Sequence, residues 1–184
     1  MSRAAGTTTS AGPAPRDGFV ALDACHRETM EQLDVLAALV KRLDDKGADA
    51  EARAMAAGVV KFFSTTVRQH HDDEERHVFP RVVVSSDPEI VHTVLRLQQD
   101  HRWLEEDWME LSAHLEALAA GQSWWDLALL REGSEVFIAL SHDHIALEEA
   151  TIYPEARARM QPGERHEMGR AMAAQRRARR GQRS

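Results

Sequence analysis

The sequence HHDDEERHVFP at residues 70–80 recurs as HIALEEATIYP at residues 144–154, with histidine, paired glutamates, an aromatic residue and proline in the same places. In an α-helix, a histidine and a glutamate four residues apart lie on one face, one turn apart. A lone histidine precedes each copy, His26 by 44 residues and His101 by 43. Two equivalent sets of metal-binding side chains predict a two-metal site inside a helix bundle.

Apolar residues at intervals of three and four predict four long helices. From these stripes and from the capping residues at their ends, we place the helices at about residues 19–45, 49–84, 88–120 and 124–158. Pro80 is expected to kink the second helix or to weaken its last turn. Connections of a few residues are typical of an antiparallel up-down-up-down four-helix bundle. The predicted fold class is therefore all-α, with the bundle formed by residues 19–158.

The two ends of the chain differ from this bundle in composition. Residues 1–18 are rich in Ala, Thr, Gly and Pro, which predicts a disordered, flexible leader, and they lack the apolar core of a secretion signal. Residues 159–184 form a basic C-terminal segment. We expect there either a short basic helix that Pro162 opens and that runs through Arg180, or a solvated tail.

Charge and cysteine content exclude several classes of protein. The net charge is −7, and residues 19–160 carry 14 Lys+Arg against 27 Asp+Glu, which argues against a nucleic-acid-binding domain. No apolar run approaches the ~20 residues needed to span a bilayer. The single cysteine, Cys25, excludes an intrachain disulfide and a cysteine-based metal site, and it favours a reducing cytoplasm. The Arg-rich tail is a candidate surface for an acidic protein partner.

The apolar stripes fail at equivalent places in the two halves. The fourth helix carries His144 and Glu148 where leucines are expected, and the second carries His70 and Glu74. A buried glutamate costs several kcal/mol unless it is paired or bound to a metal. A bound metal pair accounts for both failures. The candidate ligands are four histidines and two glutamates: His26, His70, Glu74, His101, His144 and Glu148.

Antiparallel packing is expected to bring these six groups together at one end of the bundle. Two carboxylates can bridge two metals, which leaves two histidines for each metal and the open coordination positions of a reactive site. Neutral imidazoles and carboxylates suit iron, manganese or zinc.

Polar residues near these ligands receive separate predictions. Glu75 and Glu149 lie about 100° around the helix from the ligands and are expected to hold them in place or to bridge helices. His77 is expected to be a proton relay or a hydrogen-bonded core histidine, with a fifth ligand as the alternative. Glu105 is expected to be exposed, with a ligand role as the alternative, and His71 is expected to lie at the surface or to support the ligands.

The compound motif resembles that of the hemerythrin-like, or HHE cation-binding, family over about residues 19–158. The resemblance implies a four-helix bundle with a non-haem di-iron centre, bound by histidines and bridged by carboxylates plus an oxo or hydroxo group. It gives the ligand role to the six residues named above, with zinc or manganese as alternatives to the two iron ions.

The motif departs from that of the oxygen-carrying hemerythrins, which have a second histidine four residues after the third-helix ligand, where this chain has Glu105. The four-histidine, two-glutamate pattern is similar to that of di-iron proteins of iron–sulfur cluster repair, nitric oxide handling and bacterial stress responses. The repair proteins usually carry N-terminal cysteines, and residues 1–18 have none.

We therefore expect a cytoplasmic di-iron protein that binds or reacts with O2, nitric oxide or peroxide. One alternative is a metal- or redox-dependent sensor module that signals to a partner through the bundle surface or the tail. Another is a structural zinc or iron-storage bundle without turnover. Ligand residues alone imply no enzyme activity.

Overall fold

The structure, a computed structural model, describes residues 17–181 apart from the side chain of Arg180. The helices are α1 (Gly18–Lys46), α2 (Ala50–Phe62), α3 (Arg68–His77), α4 (Phe79–Val82), α5 (Pro88–Ala119), α6 (Leu127–Leu147), α7 (Tyr153–Arg159) and α8 (Pro162–Gly181). Of the predicted leader, residues 1–18, the first 16 residues lie outside the described part of the chain. Its last two residues belong to the fold, because the Asp17 side chain caps α1 and Gly18 begins it.

The long helices form an antiparallel ring of four. The first helix, α1, packs against α2 and α6, and α5 packs against the same two helices. Consecutive helices are therefore neighbours, and the last one closes the ring against the first. This arrangement confirms the predicted all-α, up-down-up-down bundle.

Aspartates set where the bundle helices begin. The side chains of Asp17, Asp49, Asp87 and Asp126 each accept backbone N–H groups from the first turn of the helix that follows. The predicted start of the fourth helix at residue 124 is wrong. Its helix begins at Leu127, because the Asp126 carboxylate accepts the N–H groups of Ala128 and Leu129.

Two π-helical segments interrupt the second and fourth bundle helices, which the sequence predicts as continuous. They span Phe63–Val67, directly before α3, and Glu148–Ile152, directly before α7. The second bundle helix also breaks at Val78, and Pro80 follows in the first turn of α4. A π turn changes the phase of the residues that follow it and is frequent at functional sites. The first segment lies just before its copy of the repeated motif, and the second lies within its copy.

Two apolar clusters fill the bundle interior. The large apolar cluster includes Leu33, Leu36, Leu39, Leu43, Val59, Phe62, Phe63, Val67, Leu104, Leu111, Leu115, Leu118, Leu130 and Phe137. The small apolar cluster includes Phe19, Leu22, Val78, Phe79, Val82, Val94, Leu97, Ile152, Tyr153, Met160, Met168 and Met172. No described helix is both long and apolar enough to cross a bilayer.

The candidate ligands occupy a polar layer between the two clusters. In α1, for example, His26 falls between Leu22 of the small cluster and Leu33 of the large one. The expectation that the site lies at one end of the bundle is therefore wrong. The small cluster, which includes residues of α8, lies beyond the polar layer and covers it.

The basic C-terminal segment folds as α8 and packs on the bundle, which is the helical one of the two predicted alternatives for residues 162–181. Met168 and Met172, four residues apart on one face, are buried in the small cluster. On the same helix, Arg176 pairs with Asp73 at 3.2 Å and Arg179 pairs with Asp72 at 2.6 Å. The apolar face and the acidic partners on α3 together hold the helix in place.

Replacing Gly18 with alanine is expected to destabilise the docking of α8. An added Cβ would lie 2.3 Å from Met168 Cε, 2.8 Å from Met168 Cγ and 3.2 Å from the backbone nitrogen of Gly169, so the Met168 side chain must move and the α8 backbone must give way slightly. We expect a loss of about 1–3 kcal/mol in unfolding free energy, as for overpacked cores. The matched change Gly58→Ala meets nothing within 4 Å. It should raise the stability by about 0.5–1 kcal/mol. Thermal melting of both variants tests the contrast, and equal shifts would contradict it.

Candidate metal centre

The structure brings all six predicted ligands into contact within the polar layer. They come from α1 (His26), α3 (His70 and Glu74), α5 (His101), α6 (His144) and the second π segment (Glu148). All six are buried, with exposures from 0 to 7%. Such a concentration of buried ionisable groups requires a strong compensating interaction.

The four predicted histidine ligands form two pairs, His26 with His70 and His101 with His144. Each of the two glutamates faces both pairs. Glu74 Oε1 lies 3.3 Å from His70 Nε2, while Glu74 Oε2 lies 3.5 Å from His101 Nε2. Glu148 Oε2 lies 3.2 Å from His26 Nε2, while Glu148 Oε1 lies 3.3 Å from His144 Nε2. Each carboxylate therefore directs one oxygen to each pair, which is the arrangement of a bridging ligand.

Three of the four predicted histidine ligands have a carboxylate near the outer nitrogen, and in two of them, His26 and His101, it lies at hydrogen-bond distance. Glu149 Oε1 lies 3.0 Å from His26 Nδ1, and Glu75 Oε1 lies 3.1 Å from His101 Nδ1. Asp100 Oδ2 lies 3.8 Å from His144 Nδ1. A carboxylate at Nδ1 fixes the ring orientation and leaves the Nε2 lone pair available to a metal. Glu75 and Glu149 thus occupy the supporting positions expected for them.

Aromatic rings follow the internal repeat and then depart from it. Tyr153 stacks on His26 at a centroid distance of 5.1 Å, and the equivalent residue of the other copy, Phe79, stacks on His101 at 5.4 Å. The Tyr153 hydroxyl donates a hydrogen bond to Glu74 and lies 3.2 Å from His26 Nε2. Phe79 has no such hydroxyl, so one half of the polar layer has a phenol where the other half has only a ring.

Unpartnered buried atoms fit a pair of cations. Glu74 Oε2 and both carboxylate oxygens of Glu148 have no hydrogen-bond partner among the described residues. The potential ligand atoms form two groups, and within each group all atoms lie within 4.8 Å of one another. One group is His26, His70, Glu74 and Glu148, and the other is His71, Glu74, His101 and His144. Both groups combine imidazole nitrogens with carboxylate oxygens, which suits iron, manganese or zinc. The donor set therefore fits two metal ions that share Glu74.

The charges of the buried groups oppose one another in the metal-free protein. Burial lowers the pKa of His144, but Glu148 and Asp100 outweigh it and raise this pKa to about 10. For His26 and His101, burial is likewise outweighed by neighbouring glutamates, so both pKa values are raised. Burial would raise the pKa of Glu148, but His144 holds it well below its usual range. Protonated imidazoles of His26, His101 and His144 therefore partly neutralise the negative charge of the buried Glu148 carboxylate.

His71, which was expected at the surface or in support of the ligands, was not among the six predicted ligands, but it lies beside them. Its ring is partly buried and stacks on His101 with centroids 4.0 Å apart. Burial, followed by the charges of His101 and His144, holds the pKa of His71 well below its ordinary value. The adjacent histidines at positions 70 and 71 were the available signal, but a regular helix separates neighbouring residues by about 100°.

The other residues considered from sequence stay outside the two ligand groups. His77 is partly buried and belongs to neither group. Its pKa is lowered by burial despite the nearby charge of Asp73. Glu105 is exposed and pairs with Arg68 at 3.0 Å. Neither residue is placed by the structure where it can act as a ligand to the metal pair.

A cavity of about 500 Å³ reaches the polar layer from the bundle surface. Its lining is mixed: Phe63, Leu104 and Trp108 contribute apolar surface, and the five clustered histidines line it as well. Arg68 and Glu105, which are 70% and 54% exposed, also line it and form its solvent side. The cavity provides a path for a small molecule to the histidines.

Comparison with known proteins agrees with this geometry. The family model for the hemerythrin HHE cation binding domain matches residues 17–156. An uncharacterized protein of Haemophilus influenzae is 31% identical over 156 residues, which cover 84% of this chain and 87% of that protein. The chain therefore belongs to the hemerythrin HHE cation-binding family, as the compound motif indicated.

Proposed function

We propose that this protein binds two iron ions in the polar layer and uses them to bind or react with O2, nitric oxide or peroxide. The ligands would be His26, His70, Glu74, His101, His144 and Glu148. The observation that carries the proposal is the placement of Glu74 and Glu148, because each directs its two oxygens to different histidine pairs. Family membership supports a metal function, and the family resemblance favours iron.

The chain's own residues would position and insulate the metal pair. Glu149 and Glu75 hold the rings of His26 and His101 through Nδ1, so that Nε2 faces the layer. The apolar clusters on either side keep bulk water from most of the site. The iron pair would supply open positions for a small ligand and share the redox change. The Tyr153 hydroxyl, hydrogen-bonded to Glu74, is a nearby proton donor.

The cavity, about 500 Å³ in volume, is large enough for small ligands to enter and reach the histidines. The apolar side chains of Phe63, Leu104 and Trp108 suit uncharged diatomic molecules, and the exposed side favours exchange with solvent.

We place the protein in the cytoplasm, since the one cysteine, Cys25, is a buried thiol that suits a reducing compartment.

Optical spectroscopy tests the reaction part of the proposal. Anaerobic, iron-loaded protein should develop new charge-transfer absorption on exposure to nitric oxide, peroxide or air, because each ligand alters the electronic structure of the iron. The same protein loaded with zinc is the control and should stay silent. An iron-loaded protein whose spectrum responds to none of the three would contradict a reactive centre and favour a structural or storage role.

One observation favours a sensor as the second candidate function. Asp72 and Asp73 directly precede Glu74 on α3 and pair with Arg179 and Arg176 of α8. A shift of Glu74 on metal binding would therefore be passed through these two ion pairs to α8 at the surface. Hydrogen exchange of α8 amides, compared between metal-free and metal-loaded protein, tests this path. Equal exchange in both states would remove the support for signalling through α8.

A further inference from the structure

The polar layer contains a fifth histidine that follows a predicted ligand directly in sequence. His71 stacks on His101 with an interplanar angle of 16°, and its ring centroid lies 5.6 Å from that of His144. A ring nitrogen of His71 lies within 4.8 Å of ligand atoms of Glu74, His101 and His144. These four residues come from α3, α5 and α6, so the grouping depends on the tertiary fold.

We propose that His71 is a protein ligand of the metal ion held by Glu74, His101 and His144. The inference rests on the proposed function, since it requires the metal pair. It adds a third imidazole to one metal, while the other metal keeps His26 and His70 as its two imidazoles. The first metal then has fewer open positions than the second.

The internal repeat does not reproduce this arrangement. The residue equivalent to His71 in the second copy is Ile145, which cannot bind a metal. On the other side of the layer, Tyr153 replaces Phe79 and brings its hydroxyl to 3.2 Å from His26 Nε2. The two halves therefore surround their metals with different groups: three imidazoles in one, two imidazoles and a nearby phenol in the other.

In this structure the near-parallel rings of His71 and His101 cannot both direct a nitrogen at one ion, so metal binding requires the His71 ring to turn out of this stack. A purely structural role for His71 would consist of the stacking alone. The substitution His71→Phe separates the two roles, because phenylalanine keeps an aromatic ring but has no donor atom. For His71→Phe we expect one of the two irons to bind at least about tenfold more weakly in an anaerobic titration against a chelator. Loss of a group that only supports a ligand already costs about 10–100-fold in metal affinity, and loss of a ligand should cost at least as much. The exposed residue His142 supplies the matched control, and His142→Phe should bind both irons as the wild type does.

Mössbauer spectra of the iron-loaded protein provide a second readout. The wild type should give two unequal iron signals, and His71→Phe should lose or alter one of them. His71→Gly with added imidazole covers the case in which the phenylalanine variant misfolds, because imidazole can enter through the cavity that His71 lines. Restoration of the wild-type spectrum by imidazole is expected for a ligand and not for a stacking residue.

The outcomes separate this inference from the proposed function. Wild type with two irons, and His71 variants with the same affinities and spectra, would overturn the ligand assignment alone. Wild-type protein that takes up no iron would overturn the proposed function and the assignment of His71 with it.

Discussion

Glu74→Gln protein is expected to lose both metal ions. Glu74 belongs to both groups of ligand atoms, and its two oxygens face different histidines. Glutamine has a similar shape, but it supplies only one oxygen and no charge, so it cannot bridge two cations. Because loss of a supporting group already costs about 10–100-fold in affinity, we expect loss of this ligand to weaken both metals by at least roughly 100-fold. Titration with metal against a chelator measures the change.

The same substitution should leave the metal-free fold intact. Burial, followed by the charge of Glu148, raises the pKa of Glu74, so the metal-free fold disfavours its ionised form and should accept a neutral side chain of the same shape. The amide oxygen can still accept the Tyr153 hydrogen bond. We expect the metal-free melting temperature to stay within a few degrees of the wild type and the metal-induced rise to vanish. Glu135→Gln, at an exposed site on α6, should keep both properties of the wild type. Two metals bound at wild-type affinity in Glu74→Gln would contradict the bridging role.

Metal affinity is expected to rise steeply with pH from about 6 to 10. The pKa values of His26, His101 and His144 are raised in the metal-free protein, that of His144 to about 10. Metals bind neutral imidazole, so each of these groups must release its proton on binding. Each proton released changes the affinity by roughly tenfold per pH unit. Calorimetric titration in buffers of different ionisation enthalpy counts the protons. Affinity that does not change over this range would contradict the account.

The stability of the metal-free protein should depend on pH in a related way. The raised pKa of His144 gives stability that is fully present below its ordinary value of 6.5 and is lost as pH rises to about 10. The lowered pKa of Glu148 gives stability that is present above 4.5 and is lost as pH falls below it. We therefore expect the metal-free protein to be most stable between pH 4.5 and pH 6.5, where both contributions are present. In this range the protonated histidines still oppose metal binding. Denaturant melts across this range measure it.

The helix-period pattern was sufficient to predict the bundle, because long amphipathic helices with short connections have few other ways to bury their apolar faces. The six ligand candidates were also visible, since a buried stripe that turns polar at His70 and Glu74, and again at His144 and Glu148, needs a common cause. The family match confirms this resemblance.

The parts that sequence could not supply depend on local departures from regular geometry. The π segment at Phe63–Val67 changes the helix phase just before His71, and no apolar periodicity signals it. The docking of α8 depends on Met168 and Met172 meeting an apolar surface near Gly18, more than 140 positions away in the chain. A basic composition alone gave no indication of that contact.

The central claim is that the polar layer holds two metal ions. Metal analysis of anaerobically purified protein, combined with an anaerobic iron titration, tests it most directly. The account predicts about two irons per chain, with uptake that Glu74→Gln prevents. Protein that binds no iron, or that binds two irons equally well without Glu74, would contradict it.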